Sequence, residues 1–101
     1  MRNAQPREQP AKAGEVSALL KVLNPQGIHA RPAALFVKTA SRFMADISVE
    51  KDGQTVSGKS IMGLLTLEGY QGSTLRVTAR GEDAQEAVAA LRELLEKHFY
   101  E

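Results

Sequence analysis

The sequence predicts an α+β fold, a two-layer open-faced sandwich in which a four-stranded antiparallel sheet carries three helices on one face. Three observations predict it. Four short segments alternate apolar and polar residues with period two, as strands wet on one face do. Three other segments place apolar residues at helical spacing. Turn residues separate the two kinds in the order β-α-β-β-α-β-α.

The first strand is expected from Val16 to Leu23, with Val16, Ala18, Leu20 and Val22 on one face and Leu19 and Leu23 on the other. Asn24-Pro25-Gln26-Gly27 breaks it. The first helix aims Ala33, Phe36, Val37, Ala40 and Met44 at a core. Pro32 falls in its first turn, where a missing N–H costs nothing, so His29 stands at or just before the N-cap. Ala45, Ile47 and Val49 alternate with Asp46, Ser48 and Glu50 in the second strand. Asp52-Gly53 then signals a tight hairpin into the short strand Thr55 to Ser57.

Ser60 reads as the N-cap of a brief helix from Ile61 to about Glu68, stopped by Gly69. Leu75, Val77 and Ala79 oppose Thr74, Arg76 and Thr78 in the fourth strand. Asp83 and Glu86 form a D-x-x-E start resembling a capping box for the last helix. Its apolar stripe is Ala84, Ala87, Val88, Leu91, Leu94 and Leu95. His98 falls in its frayed end, where a solvated or half-buried packing role is expected.

At 101 residues the chain has room for one domain. Residues 1–14 read as a disordered tail and residues 15–101 as the domain, because the tail lacks aromatic and β-branched residues. The tail holds Arg2, Arg7 and Lys12 but no apolar h-region, so it is not a secretory signal. No apolar run approaches the roughly 20 residues that span a bilayer, and no membrane insertion is expected. Thirteen Lys and Arg against 12 Asp and Glu leave a net charge of +1, which gives no reason to expect nucleic acid as a partner. Without cysteine there is neither a disulfide framework nor a thiolate metal site. A cytoplasmic location is expected.

No HxxxH or HExxH spacing offers a zinc site, and no GxGxxG, Walker A loop or GxSxG elbow is present. A free-standing hydrolase or dehydrogenase, a bound metal and a cofactor are therefore not expected. The informative segment is Gly27-Ile28-His29-Ala30-Arg31-Pro32-Ala33. It sets an imidazole at a helix N-terminus, where free N–H groups and the helix dipole favour negative charge. A phosphoryl group on a ring nitrogen of His29 would lie within reach of the Ala30 and Arg31 amides, and the Arg31 guanidinium could add charge-assisted hydrogen bonds. Imidazole is a competent nucleophile near neutral pH. The competing reading is a surface histidine that acts as a weak helix cap.

The segment closely resembles the active-site motif of the HPr family, the histidine-containing phosphocarrier proteins of the phosphoenolpyruvate-dependent phosphotransferase system. Gly58-Lys59-Ser60-Ile61-Met62-Gly63-Leu64-Leu65 resembles the family's regulatory serine region, and the likeness runs from about Val16 to the end of the chain. The resemblance implies that His29 accepts a phosphoryl group on Nδ1 from enzyme I and passes it to enzyme IIA proteins. It implies that Arg31 helps to hold and release the group, and that Pro32 and Ala33 begin the first helix.

It also implies a docking surface that includes Ala30, Ala34, Ile61, Met62 and Leu65. Composition is compatible with that, since methionine adapts to several partners; Ile61 and Leu65 could equally be core. Ser60 matches the serine that a dedicated kinase phosphorylates in some members, although Ser is a favoured N-cap in any case. A serine kinase/phosphorylase is then a further partner, and a monomer is expected. The alternative within the family is a regulatory paralogue serving nitrogen or carbon catabolite control with little role in sugar uptake. A pure interaction module would not need both His29 and Arg31. The extended tail departs from the family pattern, and Gln26 occupies a variable loop position.

Overall fold

The computed structural model describes residues 14–101. Its elements are β1 (Glu15–Lys21), α1 (Ala30–Ala40), β2 (Asp46–Lys51), β3 (Gln54–Ser57), α2 (Ile61–Thr66), β4 (Thr74–Arg80) and α3 (Ala84–Glu96), followed by a single tight turn, His98–Tyr100. The four strands form one antiparallel sheet in the order β1-β4-β2-β3. The three helices layer on one face, which makes the α+β open-faced sandwich. Apart from Gly14, whose carbonyl accepts from Gly81 N–H at 2.8 Å, the expected tail lies outside the described residues.

Register follows from alternation. Val16 pairs with Ala79, Ala18 with Val77 and Leu20 with Leu75, while Ile47 and Val49 meet Ala79 and Val77 from the other side of β4. A one-residue slip would turn this whole apolar set into water, so the register is strongly specified. Onto it pack Ala33, Phe36 and Ala40 of α1, Leu64 of α2 and the full predicted stripe of α3, all buried. Each large apolar side chain so buried contributes about 1.5–3 kcal/mol. The opposite face is polar: Ser17 and Thr78 hydroxyls bond at 2.9 Å. Arg76–Glu50 and Arg80–Glu15 pair there at 3.7 Å, exposed contacts that contribute little.

Local expectations needed four corrections. Helix α1 ends at Ala40, and Met44, assigned to its core face, is 89% exposed in the following loop. Helix α2 ends at Thr66, and the left-handed residue after it is Glu68 (φ 54°) instead of Gly69. Gly69 serves another purpose: a Cβ there would come within 2.8 Å of Ile28 Cγ1. Asp83 precedes α3 but its side chain makes no capping bond. Its carboxylate instead accepts from the N–H groups of Met44 and Ala45 at 2.8 and 2.9 Å, tying the entry of β2 to α3. Finally, α3 does not simply fray. His98, Phe99 and Tyr100 take φ of 54°, 56° and 59°, a left-handed turn that buries Phe99 completely and leaves His98 exposed.

Candidate functional site

The loop between β1 and α1 is built to hold His29 at the helix mouth. Gly27 has φ +68°, and a Cβ on it would overlap the Gly69 carbonyl oxygen. Ile28 N–H donates to that same carbonyl at 2.8 Å, so the loop is fastened to the chain just beyond α2. Asn24, fully buried, donates from Nδ2 to Gly27 O at 2.8 Å. These contacts leave His29 as the N-cap of α1 in an extended conformation (φ −103°, ψ −166°).

The His29 carbonyl accepts the first helical bond, from Ala33 N–H at 3.0 Å, but its ring makes no capping bond. That removes the reading of His29 as a side-chain helix cap. The Ala30 and Arg31 amides belong to the first turn and have no acceptor within the helix. Pro32 supplies no donor there, and Arg31 is exposed. The first turn carries no acidic residue that would compete for an anion.

Two residues that sequence reasoning did not assign to the site complete it. The left-handed turn after α3 brings Glu101 over the loop, where Oε2 lies 2.8 Å from His29 Nε2. The other carboxylate oxygen accepts from Asn24 Nδ2 at 3.0 Å. The side chain of His29 is 39% exposed and that of Glu101 18%. Hydrogen bonding from Asn24 holds the Glu101 carboxyl below its ordinary range, against the opposing effect of burial. The bond to His29 and the charges of His29 and Arg31 act in the same direction as Asn24. An ionised carboxylate only accepts, so His29 presents Nε2–H to it. In the neutral imidazole Nδ1 then carries the ring's lone pair.

Ser60 caps α2, its Oγ accepting from Gly63 N–H at 2.9 Å. It stands at the opposite end of α2 from the contact between Ile28 and Gly69, a helix length of about 9 Å for six residues. Helix α1 packs against α2. Ala34 is exposed on α1, one helical turn from Ala30. On α2, Ile61 and Met62 are 41% and 71% exposed, whereas Leu65 is half-buried against the core. Among the described residues no three His, Cys, Asp or Glu side chains gather as a metal site. None of the described helices is long and apolar enough to cross a membrane.

Residues 16–97 match the family described as the PTS HPr component phosphorylation site. The chain belongs to the HPr family of phosphocarrier proteins of the phosphotransferase system. It is 52% identical over 71 residues to the HPr-like protein Crh of Halalkalibacterium halodurans, covering 70% of this chain and 84% of that one. It is 46% identical over 79 residues to the phosphocarrier protein HPr of Borreliella burgdorferi, covering 78% and 90%. The crystal structure of HPr-C-His from Thermoanaerobacter tengcongensis superposes with a TM-score of 0.82 at 46% identity, covering 85% of this chain and 97% of that one.

Proposed function

We propose that this protein accepts a phosphoryl group from enzyme I on Nδ1 of His29 and donates it to enzyme IIA proteins. The observation that carries the reading is the histidine at the mouth of α1, its ring uninvolved in capping and the Ala30 and Arg31 amides without helical acceptors. The amides and the Arg31 guanidinium hold the phosphoryl oxygens. Because the site is open, a partner can approach phosphorus in line with the nitrogen. Ala34, Ile61 and Met62 form the docking surface with the exposed edge of Leu65. The protein works in the cytoplasm and relays the group between partners, without turning over a substrate alone.

Incubation with phosphoenolpyruvate, magnesium and enzyme I should add one acid-labile phosphoryl group, absent from His29→Ala. No gain with active enzyme I, or full labelling of the alanine variant, would sink the reading. Ser60 is proposed as a site of kinase modification: about two negative charges there would oppose docking, while the N-cap position accommodates them. ATP-dependent, acid-stable labelling by a source extract, lost in Ser60→Ala, is the expected result.

A regulatory role in catabolite control is the second reading. It is supported by 45% identity to the structure described as Crh, the Bacillus subtilis catabolite repression HPr. Transfer from enzyme I without onward transfer to any enzyme IIA would favour it. Solved relatives include dimers. The proposed monomer is checked by light scattering across concentration, where a mass near twice 11.0 kDa would refute it.

A further inference from the structure

We propose that Glu101, held by Asn24, is a positioning residue that fixes the proton of His29 on Nε2 and so keeps the Nδ1 lone pair available to phosphorus. The inference rests on His29 being the acceptor. Its geometry is independent of any partner: one carboxylate spans two donors, Asn24 Nδ2 at 3.0 Å and His29 Nε2 at 2.8 Å. The Asn24 amide orientation follows from its partners, because Gly27 O and the carboxylate both accept and only an NH2 group can serve them.

Asn24 Oδ1 meanwhile has no hydrogen-bond partner among the described residues, although it is buried. An orphaned acceptor of this kind costs stability. The placement therefore serves the two donor contacts better than it serves the fold. The turn carrying Glu101 is similarly costly, since three successive non-glycine residues hold left-handed φ. The buried Phe99 ring anchors that turn. Both unfavourable features converge on a single carboxylate against a single imidazole nitrogen.

The contact has a defined use in transfer. On acceptance the Nδ1 lone pair forms the N–P bond as the bond from phosphorus to the donor's leaving atom breaks, its electron pair departing with the donor. Nε2 keeps its proton throughout, so the ring becomes positively charged, and that charge faces Glu101. On donation the acceptor's nucleophile bonds to phosphorus as the N–P bond breaks, the electron pair returns to Nδ1 and the ring leaves as neutral imidazole. A carboxylate at Nε2 thus orients the nucleophile and stabilises the charged ring, as the outer partner of a functional histidine does.

The test uses the full chain labelled with ¹⁵N in its histidine rings. His29 should show an Nε2-bound proton protected from solvent exchange, absent in Glu101→Ala. Phosphoryl acceptance from enzyme I should be about tenfold slower in Glu101→Ala, by analogy with the smallest losses seen when a metal-ligating histidine loses its outer partner. Glu101→Gln, which keeps the length and one acceptor oxygen, should restore part of the protection and part of the rate. A His29 ring that exchanges freely in the native chain, or acceptance by Glu101→Ala at the native rate, would overturn the proposal. Full labelling of His29→Ala would defeat the acceptor reading separately, while the protected Nε2 proton would still report the contact itself.

Discussion

Gly27 shows how much of the site rests on single residues. Its φ of +68° and the overlap that any Cβ would make with the Gly69 carbonyl mean that Gly27→Ala strains the loop twice. The expected cost is about 2–4 kcal/mol, from left-handed backbone and overpacking together. Denaturant unfolding measures it, and a loss under 1 kcal/mol would show that the loop relaxes. Glu101 predicts a pH dependence. Its folded pKa lies below the unfolded one, so its contribution is fully present above the ordinary glutamate range and is lost as pH falls through the depressed value. Carboxyl ¹³C shifts should therefore give Glu101 a lower midpoint in the folded chain than in the unfolded one, and Asn24→Ala should raise it. His29, Arg31 and Ser60 could be singled out as candidates in the sequence because each motif is local. Glu101 could not, because its partner lies 72 residues away and the turn that joins them is built from residues whose types do not announce it.

Among the elements, those whose periodicity is repeated were readable, and those decided by one tertiary contact were not. Six apolar residues at helical spacing defined the buried stripe of α3, and Asp52-Gly53 defined the hairpin, with φ of 52° and 84° as a type I′ turn requires. Asp83 looked like a capping residue, but two loop amides just ahead of β2 compete for its carboxylate more effectively. Ser60 met both descriptions, cap and candidate modification site, and the two can be separated. Ser60→Ala removes the bond to Gly63 N–H and should cost about 1 kcal/mol, lowering the melting temperature by about 4–8 °C. Ser60→Asp keeps an N-cap acceptor and adds charge beside Ile61 and Met62. It should melt close to the native chain yet transfer its phosphoryl group more slowly. A melting temperature as low as that of the alanine variant would show that aspartate does not cap there.

At the scale of the whole molecule, the helical layer does more than cover the sheet. Ile28 is fastened to Gly69 beyond α2, and Glu101 reaches His29 from beyond α3, so segments that follow α2 and α3 both hold the loop that leads into α1. Phe99 links this arrangement to the core: it is fully buried, yet it lies in the left-handed turn that delivers Glu101. The turn is unfavourable locally, and ring burial is the interaction available to offset it. Phe99→Ala should therefore cost about 3–5 kcal/mol, and in conditions where the variant stays folded the protected proton on His29 Nε2 should be lost with it. Phe99→Leu, which keeps most of the apolar contact, should lose much less stability and retain the proton. If Phe99→Ala folded but kept the Glu101 contact, the Asn24 bond alone would suffice to hold the carboxylate. If both variants lost the proton equally, the shape of the ring, and not its burial, would be what sets the turn.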